Sequence, residues 1–323
     1  MKQIVCTKFT GTAEDNIEII EVETPSISEK EVLIKMIAAP INPADLLLIN
    51  NRHAYKIQLP SLIGIEGVGK IIDKGKNVEE LQIGDLVAVP FGGTWQQMIN
   101  KFATEVYLLP NDIDPLQASM FCVNPFTALG MLNGLEKGDW IIQNAANSAI
   151  AQMIISIAAK KGIKTINIVR NDHNTERLLK LGANEVIIGE DDLTNKVRKI
   201  TNGKMIKRAL DAVAGRSSGI LLECVENFGE LWCYGLLSSD DIILPATKVV
   251  FGNVNVKGFS RLSTVRNKSK IEIQNMVNEI VQLINQGVIS SPIQEIFPID
   301  KAKDAVKLAN QEGRSGKIII DLQ

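Results

Sequence analysis

Residues 139–170, DWIIQNAANSAIAQMIISIAAKKGIKTINIVR, constrain the fold of this chain more than any other stretch. Within them, Trp140–Gln143 is predicted to form a short buried strand, and Ala149–Lys161 has the apolar spacing of a helix with Gly162 just past its end. A second strand is predicted at residues 165–169. A strand, a turn, a helix and a parallel strand form a βαβ crossover, which is right-handed almost without exception.

The polar turn at residues 144–148 lies where a dinucleotide binds in such a unit. A helix N-terminus offers unpaired N–H groups and a positive dipole end, which suit a pyrophosphate. The usual glycines are missing, because Ala149, Ile150 and Ala151 stand where they are expected. The turn alone therefore leaves two interpretations open, a dinucleotide site and an ordinary βαβ unit that binds nothing.

The second strand ends at Arg170, and no carboxylate stands where an acid would hold the 2′-hydroxyl of an adenosine ribose. A guanidinium at this position suits a 2′-phosphate instead. The sequence therefore predicts NADP(H) rather than NAD(H).

The composition describes an ordinary globular chain. At 323 residues it is long enough for two domains, and its formal net charge of −2 gives no reason to expect nucleic acid or an anionic membrane as partner. No apolar run reaches membrane-spanning length, and the first residues lack the pattern of a signal peptide. The 4 cysteines lie far apart without the spacing of a metal site. We therefore predict a cytoplasmic protein with free thiols.

The order of the predicted elements changes along the chain. Short strands with turn glycines fill residues 1 to about 110, which suggests a small barrel-like β domain. Strands and helices then alternate to about residue 257, which indicates a parallel sheet covered on both faces. A long helix, a second helix and a final strand follow, and we expect this tail to fold back onto the first domain.

Five segments in register, INPADLLLIN, LPSLIGIEGVG, VNPFTALGML, IIQNAANSAIAQ and INIVRN, resemble the medium-chain dehydrogenase/reductase superfamily. The nearest resemblance is to its zinc-free trans-2-enoyl thioester reductases, and the ending GRSGKIII is shared with related quinone oxidoreductases. The resemblance implies an α/β fold in which a Rossmann doubly wound parallel sheet is inserted in a GroES-like β-barrel catalytic domain. Residues 1–120 and 258–323 would form the catalytic domain, and residues 121–257 the NADP(H)-binding domain. The family is usually homodimeric.

The resemblance also makes zinc testable from the residues. Zinc alcohol dehydrogenases of this superfamily place a cysteine at or near Asn42 and a histidine at Ile65, and this chain has neither ligand. A catalytic zinc needs about three protein ligands. We therefore predict that the protein binds no metal.

The activity implied by the resemblance is NADPH-dependent reduction of the C=C bond of trans-2-enoyl thioesters, by hydride transfer to the β-carbon. In this family a tyrosine after the INPxD segment is assigned as the proton donor. An ungapped match places His53 at that position, with Tyr55 two residues further on. Tyr55, His53 and a water held by Asn42 are therefore the candidate donors. An NADPH-dependent quinone or enone oxidoreductase is the alternative function, and a non-catalytic NADPH-binding protein is the third.

The same resemblance implies that residues 124 and 127 face the nicotinamide half, residues 147–150 the pyrophosphate and residues 170–172 the 2′-phosphate. It also implies that residues 234–237 lie near the nicotinamide ribose and residue 317 near the cofactor phosphates. The residues expected to contact the cofactor are Asn124, Thr127, Asn147, Ser148, Ala149, Ile150, Arg170, Asn171, Asp172, Tyr234, Gly235, Leu236, Leu237, Phe259, Ser260, Arg261, Leu262 and Lys317. A small-molecule or acyl-thioester substrate is the expected partner.

The apolar run VVFGNVNV is the expected dimer contact. As a strand at the edge of the sheet it would otherwise invite uncontrolled pairing. We therefore predict a homodimer joined through edge strands near residues 249–257.

Overall fold

The computed structural model describes residues 1–90, 92–204, 206–311 and 313–323. These residues form two compact units, each made of segments that are separate in the sequence. The first unit contains Met1–Val123, Lys270–Asn285 and Ser290–Gln323, and the second contains Asn124–Ser269 and Gln286–Ile289. This division groups residues 258–269 with the second unit, whereas the domain borders expected from the sequence group them with the first; those borders remain a prediction.

The elements of the described residues are numbered along the chain. The strands are β1 (Lys2–Cys6), β2 (Ile17–Glu21), β3 (Glu31–Pro40), β4 (Ser61–Leu62), β5 (Glu66–Lys74), β6 (Leu86–Pro90), β7 (Met98–Phe102), β8 (Tyr107–Leu109), β9 (Trp140–Gln143), β10 (Lys164–Val169), β11 (Glu185–Ile188), β12 (Ile206–Asp211), β13 (Val225–Cys233), β14 (Asn255–Gly258), β15 (Ile293–Pro298) and β16 (Lys317–Asp321). The α-helices are α1 (Pro43–Ile49), α2 (Pro115–Ala118), α3 (Asn124–Leu132), α4 (Ala149–Lys161), α5 (Thr175–Lys180), α6 (Leu193–Ile200), α7 (Arg216–Glu223), α8 (Ala246–Gly252), α9 (Arg261–Val265), α10 (Lys270–Asn285) and α11 (Ala302–Ala309).

The first unit contains two sheets. The smaller has the antiparallel order β2-β1-β4, and the larger has the order β15-β16-β3-β5-β6-β8, with β7 also paired to β3. Strand β3 is central and mostly buried, as its nearly continuous apolar run VLIKMIAAP predicts. Strand β16 pairs antiparallel with β3, which confirms the prediction that the C-terminal tail folds back onto the first domain.

The second unit is built on a parallel sheet with the order β11-β10-β9-β12-β13-β14. From the middle of the sheet, β9, β10 and β11 follow one another toward one edge, and β12, β13 and β14 follow one another toward the other edge. The strand order therefore reverses between β9 and β12. In open α/β sheets ligands bind beyond the carboxyl ends of the strands at such a reversal.

The βαβ unit of β9, α4 and β10 confirms the prediction made from residues 139–170. The bounds of β9 and α4 match the predicted strand and helix, and β10 begins one residue earlier than predicted, at Lys164. Gly162 ends the helix with a left-handed φ of 72°, a conformation that glycine adopts without steric cost. Seven residues of α4 are buried, among them Ile154, Ile155 and Ile157, as expected for a crossover helix packed on its sheet.

The expected edge strand near residues 249–257 is largely wrong as secondary structure. Val249, Val250 and Phe251 lie in the helix α8, and only residues 255–258 form the strand β14. Asn253 separates the two elements with a left-handed φ of 52°, which ends the helix. A short apolar run is compatible with either a strand or a helix, so its composition alone does not decide between them.

Candidate functional site

Loops that follow β9, β10, β12, β13 and β14 begin at the carboxyl edge of the parallel sheet in the second unit. All of these strands run in the same direction, so the loops that leave them share one edge. The expected contacts of residues 147–150, 170–172, 234–237 and 259–262 lie on four of these loops or in the first turn of the helix that follows. The fold therefore brings together four sequence segments that were singled out separately.

The turn after β9 leads into the N-terminus of α4. Ser148 is the N-cap, and its Oγ accepts a hydrogen bond from the N–H of Ala151 at 3.3 Å. The other N–H groups of a first helical turn have no partner inside the helix. Ser148, Ala149 and Ile150 are only partly buried, and the buried Oδ1 of Asn147 has no hydrogen-bond partner among the described residues. The N–H groups of this turn are therefore the donors available to a pyrophosphate, whereas the Asn147 oxygen is an acceptor and cannot bond to a phosphate oxygen.

The expected 2′-phosphate residues follow β10 directly. Arg170, Asn171 and Asp172 are all exposed. Because β10 pairs in parallel with β9, Arg170 leaves the sheet beside the turn that carries the α4 N-terminus. A guanidinium and a helix N-terminus side by side suit a ligand with several phosphates, so the residues present fit NADP(H).

A buried network between β9 and β12 was not predicted from the sequence. Asn144 donates through Nδ2 to Asp211 Oδ1 at 2.6 Å and to Ser217 Oγ at 2.9 Å. The hydroxyl of Ser218 donates to Asp211 Oδ2. Asn144 and Asp211 are both buried, at the point where the strand order reverses. We call Asn144, Asp211, Ser217 and Ser218 the Asp211 cluster.

The turn after β13 packs closely on the turn after β12. Tyr234 donates its N–H to the carbonyl of Asp211 at 2.8 Å, and Leu237 donates its N–H to the carbonyl of Ala212 at 3.1 Å. A Cβ on Gly235 would lie 2.5 Å from the carbonyl oxygen of Ala212, so only glycine fits there. Burial raises the pKa of the Tyr234 phenol, and Asp211 adds to the rise. Leu236 and Leu237 expose their side chains.

The segment after β14 carries four more of the expected contacts. The Phe259 ring stacks on Trp232, with the ring centroids 4.7 Å apart, and its N–H donates to Cys233 at 2.8 Å. Ser260 is exposed and precedes α9. The Arg261 guanidinium lies 5.6 Å from the centroid of the Phe126 ring. This packing fixes the segment, and the exposed Leu262 extends from its helix.

Asn124 and Thr127 belong to the first turn of α3. Asn124 begins the helix and is partly buried, and Thr127 is buried. The other end of α3 is held by Arg208, which donates to the carbonyl oxygens of Met131 at 2.6 Å and Asn133 at 2.9 Å. These carbonyls lie where a helix leaves its acceptors unpaired. The helix that carries two expected nicotinamide contacts is therefore fixed from its C-terminal end.

In the first unit, Asn42 lies in a buried cluster of charges. Its Nδ2 donates to Glu66 Oε1 at 2.8 Å, and its Oδ1 accepts a hydrogen bond from the Lys317 ammonium. The N–H of Asn42 donates to Asp45 Oδ2 at 2.8 Å. Glu66 Oε2 accepts the N–H groups of residues 122 and 123, both at 2.9 Å. We call Asn42, Asp45, Glu66 and Lys317 the Glu66 cluster.

Burial dominates the protonation of this cluster. It raises the pKa of Asp45 to about 7, against the hydrogen bond from the Asn42 N–H. It also raises the pKa of Glu66 and lowers the pKa of Lys317, and the attraction between these two groups opposes both shifts. Lys317, expected beside the cofactor phosphates, is thus a buried partner of Asn42, and its contact with a cofactor remains a prediction.

The candidate proton donors of the first unit lie in the loop after α1. The Tyr55 side chain is 71% exposed, and His53 is partly buried. The N–H of Tyr55 donates to His53 Nδ1 at 3.0 Å. That nitrogen must carry a lone pair to accept the bond, which an imidazolium lacks. The hydrogen bond from Tyr55 is therefore compatible only with a His53 ring whose Nδ1 carries no proton.

The described residues contain neither a candidate membrane span nor a candidate metal site. In 1–90, 92–204, 206–311 and 313–323, no helix has both the length and the apolar character needed to cross a bilayer. Over the same residues, no three His, Cys, Asp or Glu side chains are grouped so that they could hold a metal ion. The absence of a metal remains a prediction that rests on Asn42 and Ile65.

Sequence reasoning missed Asp45, Glu66, Asn144 and Asp211. The sequence contained two signals: Asp211 follows the apolar strand residues Ala209 and Leu210, and Glu66 lies in the turn segment GIEG. A buried acid is rare unless it is paired, but a sequence does not show that these residues are buried. The partners of Asp211 also come from separate segments of the chain.

Comparisons with known proteins agree with this geometry. The family described as alcohol dehydrogenase GroES-like domain matches residues 28–106, and the family described as zinc-binding dehydrogenase matches residues 149–282. The mitochondrial enoyl-[acyl-carrier-protein] reductase of Dictyostelium discoideum is 33% identical over 311 residues, which cover 93% of this chain and 89% of that protein.

Two solved structures have the same fold. One, described as an NADPH:quinone reductase from Bacillus thuringiensis, has a TM-score of 0.93 and 28% identity, covering 99% of this chain and 98% of that one. The other, the mitochondrial 2-enoyl thioester reductase heterodimer from Candida tropicalis, has a TM-score of 0.86, 23% identity and 99% coverage of each chain. At that identity the second likeness shows the fold alone.

These comparisons confirm the predicted fold class, a Rossmann sheet combined with a GroES-like domain, and the prediction of an oxidoreductase. The predicted cytoplasmic location is wrong, because the enoyl-[acyl-carrier-protein] reductases that this chain resembles are named mitochondrial. The composition could not distinguish the two compartments, since both accept a globular chain with scattered cysteines.

Proposed function

Because the chain belongs to the medium-chain dehydrogenase/reductase superfamily, we propose that it reduces the C=C bond of trans-2-enoyl thioesters with NADPH. The observation that carries this proposal is the carboxyl edge of the parallel sheet, where the α4 N-terminus and Arg170 follow two paired strands. The first suits a pyrophosphate and the second a 2′-phosphate. The thioester class is supported by the names of the relatives, which are enoyl-[acyl-carrier-protein] reductases.

Bound NADPH would supply the hydride that adds to the β-carbon of the enoyl thioester. The addition turns the thioester carbonyl into an enolate, so the protein must donate hydrogen bonds to that oxygen and a proton to the α-carbon. Residues 147–150 and 170–172 would hold the phosphates, and residues 124, 127 and 234–237 would orient the nicotinamide half.

We assign the proton donation to Tyr55 in preference to His53. A phenol stays protonated through neutral pH, whereas a histidine must be an imidazolium to act as an acid. His53 Nδ1 already accepts the N–H of Tyr55, so protonating it would break that bond. Asn42 is a weaker candidate because its side chain already bonds to Glu66 and Lys317. The exposed Tyr55 hydroxyl is open to a substrate.

An NADPH-dependent quinone or enone reductase is the second candidate. His53 stands where the enoyl thioester reductases have their tyrosine, and the structure with 28% identity is described as an NADPH:quinone reductase. Quinone reduction needs no proton donor at an α-carbon, so the altered position would be harmless to a quinone reductase, whereas an enone would still need one.

A substrate panel distinguishes these functions. Crotonyl- and hexenoyl-thioesters, small enones and quinones are offered to the purified protein with NADPH and with NADH. We expect the highest kcat/KM on a thioester with NADPH. Turnover confined to quinones or enones would select the second candidate, and NADPH binding without any turnover would refute both.

We also propose that the protein is a homodimer joined through β14. In the described part of the second unit this strand ends the sheet, and its residues are all exposed. The adjacent helix α8 exposes Val250 and Phe251, the latter by 82%. An open edge beside an apolar patch favours pairing with another sheet edge. Sedimentation at micromolar concentration tests this, and Val256→Pro, which cannot donate an edge N–H, should shift the protein toward the monomer.

A further inference from the structure

Two alanines beside the candidate cofactor site have a backbone conformation that favours glycine. Ala145, in the turn after β9, has a φ of 46°, and Ala214, in the turn after β12, has a φ of 70°. L-residues other than glycine, asparagine and aspartate seldom adopt this region, because Cβ approaches the following carbonyl. Both alanines lie at the reversal of strand order. Something in the surrounding structure must hold these turns in place.

The side chains of Asn144 and Asp211 hold both turns. Asp211 Oδ1 accepts the N–H groups of Val213 at 2.8 Å and Ala214 at 3.1 Å, so it binds the peptide of the left-handed residue directly. Asn144 Oδ1 accepts the N–H of Ala212 at 2.7 Å, while its Nδ2 donates to Asp211. Asn144, which directly precedes Ala145, thus connects the first turn to the turn that contains Ala214.

The pair is itself fixed by α7. Ser218 donates its hydroxyl to Asp211 Oδ2, and the Ser217 hydroxyl accepts from Asn144 and donates to Glu190. Every partner of the Asp211 carboxylate named here is a neutral donor, and the network is buried. Buried networks of satisfied hydrogen bonds fix one geometry, because each broken bond leaves an unpaired polar group.

We propose that Asn144 and Asp211 are positioning residues of the dinucleotide site, which hold its two turns in the left-handed geometry that glycines would adopt freely. The proposal rests on the proposed NADPH-dependent function. The two side chains act through the turns at residues 144–148 and 212–215. They explain how two turns with alanine at their left-handed positions, Ala145 and Ala214, keep the shape of a dinucleotide site.

The test measures NADPH affinity by fluorescence titration, without substrate, together with the melting temperature. Asp211→Ala removes the single oxygen that accepts two turn N–H groups and should weaken NADPH binding by about tenfold or more. Asp211→Asn keeps an acceptor at Oδ1 and should stay within about threefold of the wild type. Adding Ala214→Gly to Asp211→Ala should recover about threefold or more of the lost affinity, because glycine adopts the left-handed angle without the hydrogen bonds.

The matched control relieves a left-handed residue elsewhere in the same unit. Asn202 has a φ of 53° and is exposed. Combining Asn202→Gly with Asp211→Ala should recover no NADPH affinity, even if it changes the melting temperature. Recovery by both glycines alike would show a general effect on stability and overturn the proposal.

Two other results would contradict the positioning role of Asn144 and Asp211. NADPH binding by Asp211→Ala within about twofold of the wild type would overturn the proposal, as would a loss that Ala214→Gly does not repair. If Asp211→Ala does not fold, the pair Asn144→Ala and Asn144→Ala/Ala145→Gly replaces it with the same expected pattern. Failure of the wild type to bind NADPH would refute the proposed function as well, whereas normal wild-type binding isolates the failure of this inference.

Discussion

The two units each bury a carboxylate, but they stabilise it in different ways. In the Glu66 cluster the ammonium of Lys317 is the counter-charge, while a second acid, Asp45, lies close enough to repel Glu66. In the Asp211 cluster the named partners of the carboxylate are backbone N–H groups, an asparagine amide and a serine hydroxyl. Removing a partner should therefore leave an uncompensated charge in the first unit and an unsupported turn in the second.

This difference predicts which measurement each cluster affects. Changes in the Glu66 cluster should alter the stability of the fold and its dependence on pH. Changes in the Asp211 cluster should alter NADPH affinity. The exposed loop that contains His53 and Tyr55 belongs to neither cluster, and changes there should alter turnover alone.

The largest effect is expected in that loop. Tyr55→Phe should lower kcat on the best thioester by about 10²–10⁴-fold, the usual loss of a general acid, and leave NADPH affinity unchanged. The wild-type rate should be constant from about pH 6 to 9, because a phenol stays protonated there. His53→Ala is the matched control and should keep most of the rate. If the wild-type rate falls as pH rises through neutrality and His53→Ala loses most of its kcat, the proton donor is the His53 imidazolium instead.

The next effect tests the charge balance of the Glu66 cluster. Lys317→Met removes the buried cation and should lower the free energy of unfolding by about 3–5 kcal/mol at pH 7, since it leaves buried carboxylates without a counter-charge. Chemical denaturation measures the change. Lys301→Met alters a lysine whose side chain is 64% exposed beside Asp304, and it should cost at most about 1 kcal/mol. Equal costs for the two variants would break the comparison.

A pH-dependent effect should follow from Asp45. Its folded pKa is about 7, well above that of an unfolded aspartate, so the folded state binds a proton that the unfolded state releases. Stability from this group is therefore present near pH 4 and is lost as pH rises toward 7. Asp45→Asn should remove that loss, which amounts to at most about 4 kcal/mol for a shift of three units.

Melting temperatures of wild type and Asp45→Asn between pH 5 and 8 measure this effect. The gap between the two proteins should change in favour of the variant as pH rises. A gap that stays constant across the range would show that Asp45 does not titrate there. Asp139→Asn is the control: burial opposes the shift, but the N–H of Glu136 and Lys207 lower the pKa of Asp139, so this group stays ionised from pH 5 to 8 and its gap to the wild type should not change with pH.

The smallest effect is expected for Arg170, the residue of the second unit assigned to the 2′-phosphate. Arg170→Ala should weaken NADPH binding by roughly 1.5–3 kcal/mol, the value of a charge-assisted hydrogen bond, and leave NADH nearly unchanged. Asp211→Ala should weaken both cofactors, because the turn that it supports holds parts that the two share. Equal affinity of the wild type for NADPH and NADH would contradict the assignment of Arg170.

The sequence alone determined the central βαβ unit and the class of the fold. Helix α4 has the predicted bounds because apolar spacing, the N-cap Ser148 and the terminal Gly162 all act locally. The position of Arg170 directly after a strand follows from the same local pattern. The prediction of a strand over VVFGNVNV was largely wrong, because the composition of this run suits both a helix and a strand.

Only the tertiary structure decided the polar interior. Lys317 meets Asn42 across a separation of 275 residues, and Asn144 meets Asp211 across 67. Neither contact leaves a periodic signal, because a buried hydrogen bond depends on which strands become neighbours. The left-handed angles of Ala145 and Ala214 are also tertiary in origin, since alanine by itself favours other conformations. Local propensities specify the elements, and the pairing of strands decides which polar side chains must satisfy one another.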